Sequence, residues 1–133
     1  MISQENFNTI LFGIRGQGGP AAKVEQLSHH PHVFCSYRTD SGRKCSAGWL
    51  LPDGDPEATP EQSGTAESLT FFKDNFTDDE RSSIRQLQII HDESATKEVY
   101  TLRTDAEFFL NWEPRMKKFA EANDLTYTPP AGV

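Results

Sequence analysis

The stretch VFCSYRTDSGRKCSAGWLLPD, residues 33–53, decides how this chain is read. Asp40, Ser41 and Gly42 form a turn signal. Asp and Ser suit the central positions of a type I turn, and Gly supplies the left-handed residue that follows. With Thr39 facing Arg43, Tyr37 pairs with Cys45, Cys35 with Ala47 and Val33 with Trp49. Strand side chains alternate between faces. Val33, Cys35, Tyr37, Cys45, Ala47, Trp49 and Leu51 then share one face, which is apolar. Phe34, Ser36, Arg38, Lys44, Ser46, Gly48 and Leu50 share the other, which is mostly polar. That is the pattern of a sheet buried on one side. The expectation is a β-hairpin with Cys35, Ala47 and Trp49 buried, Lys44 and Ser46 in solvent, and Pro52 ending the second strand.

A two-stranded hairpin is marginal alone, so its apolar face needs a cover. Helices supply it. Residues 3–15 place Phe7, Ile10, Leu11 and Ile14 on one side, with Ser3 as cap and the glycines at 16–19 as stop. Residues 20–28 read as a short second helix with Pro20 in its first turn. One or two helical turns follow at 65–72, capped by Thr65, with Phe71, Phe72 and Phe76 as anchors. Thr77 and Glu80 form a capping box before a helix to about residue 91, with Ile84, Leu87 and Ile90 inward. Residues 97–103 fit a short edge strand, a loop or a helix. Thr104 and Glu107 form a second capping box, followed by a stripe of Phe109, Trp112, Met116, Phe119 and Ala120. Pro114 inside that stretch is expected to kink or split the helix. Residues 52–64 read as a mobile acidic loop and 126–133 as a frayed tail. The fold class is α+β, a hairpin or small antiparallel sheet covered on one face by three to five helices, in one domain over 1–133.

Charge is unevenly placed. The net charge is −7, and residues 53–80 hold nine acids against Lys73 alone, a net of −8. Residues 1–52 carry a net of +2. An acidic balance argues against direct nucleic-acid binding, which needs clustered Lys and Arg. No apolar run approaches membrane length, and the N-terminal residues lack the pattern of a secretory signal. Two cysteines without such a signal fit reduced thiols in a cytoplasm.

Two parts of the chain resemble a family of small, uncharacterised proteins encoded by tailed phages and prophages. The hairpin is similar to that family's Cys-x-Tyr-Arg, turn Gly, x-Lys-Cys, x-x-Gly, x-Leu-x-Pro-Asp motif. The matching residues are Cys35, Tyr37, Arg38, Gly42, Lys44, Cys45, Gly48, Leu50, Pro52 and Asp53. Leu87, Gln88, His91 and Asp92 resemble its Leu-Gln-x-x-His-Asp helix end, and Trp112, Phe119, Ala120 and Leu125 its C-terminal pattern. Gly54 and Asp55 stand where the family has an aromatic after Pro-Asp. The resemblance implies phage or prophage origin and a host-cell cytoplasm, and it implies no activity.

Several constellations could carry chemistry. His29, His30, His32, Cys35 and Cys45 are all zinc-ligand types, but their spacing fits no usual finger or ribbon. His91 and Asp92 invite comparison with metal-dependent HD phosphohydrolases, which need further ligands converging on the metal. The bland alternative is a helix-end histidine bonded to backbone. A nucleophilic cysteine would need an exposed thiol beside a His. The leading reading is a non-enzymatic protein that binds, and through binding inhibits, a host or phage protein, with no cofactor, no metal and no membrane association. Its contact residues are Asp53, Asp55, Glu57 and Glu61 in the acidic segment and Arg38, Arg43 and Lys44 at the turn. The alternative is a small metal-dependent, HD-like phosphohydrolase or a zinc-stabilised module.

Overall fold

The computed structural model describes residues 2–27, 30–35, 37–39, 41–57, 69–98 and 101–131, the described part of 23–35 as backbone alone. The fold is α+β. Five helices and two separate two-stranded antiparallel sheets make up the described residues.

Helix α1 (Gln4–Gln17) follows its sequence pattern. The Ser3 hydroxyl accepts the Asn6 N–H, and Phe7, Ile10, Leu11 and Ile14 are buried. Gly18 closes it at φ 85°, a left-handed conformation that glycine adopts without strain.

The next segment departs from expectation. Residues 22–27 form strand β1 (Ala22–Leu27), where the sequence suggested a helix. It pairs antiparallel with β2 (His30–Cys35), Ala22 opposite Cys35 and Leu27 opposite His30. Strand β2 therefore takes its partner from the N-terminal side. The expected partner, residues 43–51, breaks away after Lys44. The turn itself is as read: Thr39 N–H donates to the Arg43 carbonyl at 2.8 Å, Gly42 stands at φ 89°, and Arg38 bridges to Lys44. Beyond that bridge the chain coils into helix α2 (Ser46–Leu50), with Cys45 as its N-cap.

Tertiary contacts explain the switch. The Ser46 hydroxyl donates to the Leu87 carbonyl at 3.0 Å, and the Ala47 N–H donates to Gln88 Oε1 at 3.0 Å. Ser46, Ala47 and Gly48 are buried, so Ser46 does not face solvent. A side chain at Gly48 would overlap the Tyr37 carbonyl oxygen. Three small residues in a row let α2 sit flush, which outweighs a weak strand preference. Ala47 is buried as expected, whereas Trp49 is only half-buried.

Helix α3 (Thr70–Asn75) starts later than residue 65, which itself lies outside the described residues. Phe72 is buried, and Phe71 and Phe76 pack edge-on around it with ring centres 5.6–6.1 Å apart. Helix α4 (Asp78–Ala95) has the predicted capping box and runs one turn past His91. A small hairpin follows, β3 (Thr96–Glu98) with β4 (Thr101–Leu102).

Helix α5 (Asp105–Ala122) also has its capping box. Pro114 does not split it. Leu110, whose carbonyl loses its helical donor, is 77% exposed, so that carbonyl lies on the solvent side. Phe108 joins Trp112, Met116, Phe119 and Ala120 in the buried stripe, and Phe109 is only partly buried. Phe7 of α1 stacks on Phe119 at 5.9 Å, which sews the first helix to the last. The tail is docked as far as Tyr127 instead of frayed. Thr126 exchanges two hydrogen bonds with the Gln4 amide, and the Tyr127 hydroxyl donates to Glu113.

A candidate functional site of paired cations and an acidic cleft

The turn after β2 places Arg38 and Lys44 side by side, and both reach one carboxylate. Asp53 Oδ1 lies 3.0 Å from the Arg38 guanidinium and 3.4 Å from the Lys44 ammonium. The Asp53 side chain is otherwise 89% exposed. Lys44 also rests over the Trp49 ring, 4.7 Å from its centre, a cation–π contact. Beneath Trp49 is Gly13 of α1, where an added Cβ would stand 2.5 Å from the indole.

Arg43 points elsewhere. Its guanidinium grips Asp105 at the start of α5 in a two-pronged bond of 3.0 and 3.1 Å and reaches the Pro20 carbonyl. The bond to Asp105 pushes the Arg43 pKa up despite partial burial. The three cations expected at a partner surface are thus each neutralised within the chain. Asp53 is held by Arg38 and Lys44, and Asp105 by Arg43.

The acidic loop has internal duties as well. The Asp55 N–H donates to the Pro52 carbonyl around Gly54, which stands at φ 84°. The Asp55 carboxylate accepts the Glu57 N–H at 2.8 Å, and Glu57 Oε1 accepts the Thr70 N–H at 2.9 Å at the first residue of α3. Asp55, Glu57 and Asp74 then line a cleft of about 430 Å³ beside Phe71. Pro56, Thr70 and Asn75 also line it, and among the described residues no cation does. Glu61 lies outside the described residues.

The residues singled out for chemistry have structural partners. Cys45 is fully buried and free, and its sulfur accepts the Gly48 N–H at 3.4 Å. Burial pushes its thiol up to about 12, far from a nucleophile's range. His91 is fully buried too. Its Nε2 lies 3.1 Å from the Ala21 N–H and must accept it, so the ring proton sits on Nδ1 and is donated to Asp92 Oδ1 at 2.8 Å. Both ring nitrogens are engaged, and neither offers a lone pair to a metal. Among the described residues no group of three or more His, Cys, Asp or Glu could hold a metal ion. The side chains of His29, His30, His32 and Cys35 lie outside what the structure describes.

Two features went unread in the sequence. Gln88 is a hub: its carbonyl takes the Ala47 N–H while its amide donates to Asp92 at 2.8 Å. The spacing of four between Gln88 and Asp92 was the available signal. The second is a groove of about 770 Å³ between α1 and α5, where Phe12 and Leu110 are exposed. On one wall Arg15 makes a two-pronged pair with Glu113 at 2.8 Å, and no local pattern announces a pair 98 residues apart. Comparison with family models, with curated proteins and with solved structures finds no match to this chain.

Proposed function

We propose that this is a non-enzymatic binding protein, of phage or prophage origin as the resemblance implies, that engages a basic segment of a host or phage protein. The observation that carries the reading is the cleft of Asp55, Glu57 and Asp74 around Phe71, three carboxylates with no cation among the lining residues. A lysine or arginine of a partner would find both charge and an aromatic wall there. Glu61 belongs to the same acidic segment of the sequence. Occupying a basic surface in this way is also a route to inhibiting its owner. The engagement of His91 and Cys45 in structural bonds favours binding over catalysis.

The test is the kinetics of association with a partner captured from host lysate. The variant D55N/E57Q/D74N removes the charge while its amide oxygens can still accept the bonds from Glu57 and Thr70. Charge-led association should slow several-fold at low ionic strength, with dissociation little changed, and the gap should close as salt shortens the Debye length from about 10 Å to about 3 Å. An association rate that ignores both the variant and the salt would reduce the acidic segment to a solubilising surface.

A further inference from the structure

A second surface carries the opposite sign. Helices α4 and α5 lie against each other and leave a groove of about 570 Å³ between them. Its floor is apolar. Ile89 is 43% exposed, Ile90 shows part of its surface, Phe119 is buried at the base, and Ala122 lies along the same side of α5. Its charged residues are Arg115 and Lys118, one turn apart on α5. The remaining lining residues, Gln86 and Asn123, are neutral. The chain has 20 acidic and 13 basic residues, yet among the described residues no carboxylate lines this groove.

We infer that this groove receives an acidic amphipathic helix of a partner protein. Each lip is a helical stripe. Gln86, Ile89 and Ile90 fall at i, i+3 and i+4 on α4, and Arg115, Lys118 and Ala122 at i, i+3 and i+7 on α5. The trough therefore runs for about 10 Å along α5, the length of two helical turns, and about 6 Å along α4. A third helix presenting apolar residues at i, i+3, i+4 and i+7 matches that length and shape. Glutamates on one flank of it would meet the Arg115 and Lys118 lip. Arg115 is steered by its bond to the Ser94 hydroxyl at 3.4 Å, while Lys118 makes no hydrogen bond or ion pair among the described residues. An anionic membrane is the poorer fit. The apolar surface is a concave trough instead of a ridge that could insert.

The experiment uses two synthetic helical peptides with identical apolar stripes, one flanked by glutamates and one by lysines. Binding to the full chain is followed by fluorescence anisotropy. The acidic helix should bind saturably and more tightly than the basic one. Lys118→Glu should weaken the acidic helix by about tenfold or more and narrow or reverse the preference. Ile89→Asn should weaken both. These two sites are solvent-exposed, so both variants should keep the wild-type circular dichroism, and a collapsed spectrum would move the test to Lys118→Gln. Equal binding of both peptides, no saturable binding, or indifference to Lys118→Glu would overturn the inference. So would Lys118-dependent binding to phosphatidylglycerol vesicles without peptide binding. Self-association in sedimentation velocity that Ile89→Asn abolishes would assign the groove to a second copy and overturn it equally.

Discussion

His91 ties α4 to the entrance of β1. Its Nε2 holds the Ala21 N–H at the entrance to β1, and its Nδ1–H holds Asp92, which also takes the Gln88 amide. Removing the ring leaves a buried N–H without an acceptor and opens a cavity beside Phe108. His91→Ala should therefore lower stability by about 3 kcal/mol, seen as a fall in the urea midpoint with an unchanged slope. An effect below half that size would mean that Ala21 finds another acceptor. Cys45 makes a pH prediction. The thiol ionises at its ordinary 9.0 in the unfolded chain and at about 12 in the folded one. The unfolded state thus loses the proton first. The contribution is complete below the lower value and is lost as pH rises from it toward the upper one. Urea midpoints at neutral pH and at about pH 10.5 should show the decline, and Cys45→Ala should flatten it in part. Tyr127 keeps the remainder, because burial and the bond to Glu113 raise its pKa too.

At the scale of an element, α1 offers a controlled contrast. Gly13 and Gly16 share one helix, and alanine is the better helix former at both by up to about 1 kcal/mol. A Cβ at Gly16 meets nothing within 4 Å, whereas one at Gly13 enters the Trp49 ring. Gly16→Ala should raise the melting temperature and Gly13→Ala should lower it, despite the same gain in propensity. Two shifts of the same sign would show that Trp49 is free to move off the helix. Helix α2 carries a second case. Ser46→Ala should cost about 1 kcal/mol for the bond to Leu87, where a strand with Ser46 in solvent would show no change. Both measurements ask whether 46–50 is a helix seated on its neighbours, and they do so without a structure.

In the molecule as a whole, the core runs from Phe7, Ile10, Leu11 and Ile14 of α1 to Leu87 of α4 and Trp112, Met116 and Phe119 of α5. Helices α3 and the β3–β4 hairpin contribute less to it; β3 and β4 have no buried residue among those described. Amide hydrogen exchange should be slowest through the middles of α1, α4 and α5 and faster by orders of magnitude in β3 and β4. Uniform protection would mean that the hairpin opens only with global unfolding. Charge is also distributed at this scale. Arg38, Lys44 and Arg43 pair with Asp53 and Asp105, and among the described residues no cation lines the cleft of Asp55, Glu57 and Asp74. Arg38, Lys44 and Asp53 at the turn, and Gln88, His91 and Asp92 on α4, all hold structural bonds.

What the sequence determined alone is what depends on neighbours within a turn or two. Ser3, the Thr77–Glu80 box and the Thr104–Glu107 box each satisfy backbone groups three residues away, and all three helices start where those caps stand. The Gly42 turn and the facing of Thr39 with Arg43 are local for the same reason. The α+β class follows from that inventory. Tertiary structure decided the rest. Residues 22–27 carry no strong preference, and pairing with β2 makes them a strand. Residues 46–50 alternate like a strand, yet Leu87, Gln88 and Gly13 offer bonds and a seat that only a helix can use. The acids of the candidate site were legible as composition. Their sorting was not, because Asp105 meets Arg43 from 62 positions away and Asp53 meets Arg38 from 15. A charge pattern states how many partners a residue could have, and only the folded chain brings one of them within 3 Å.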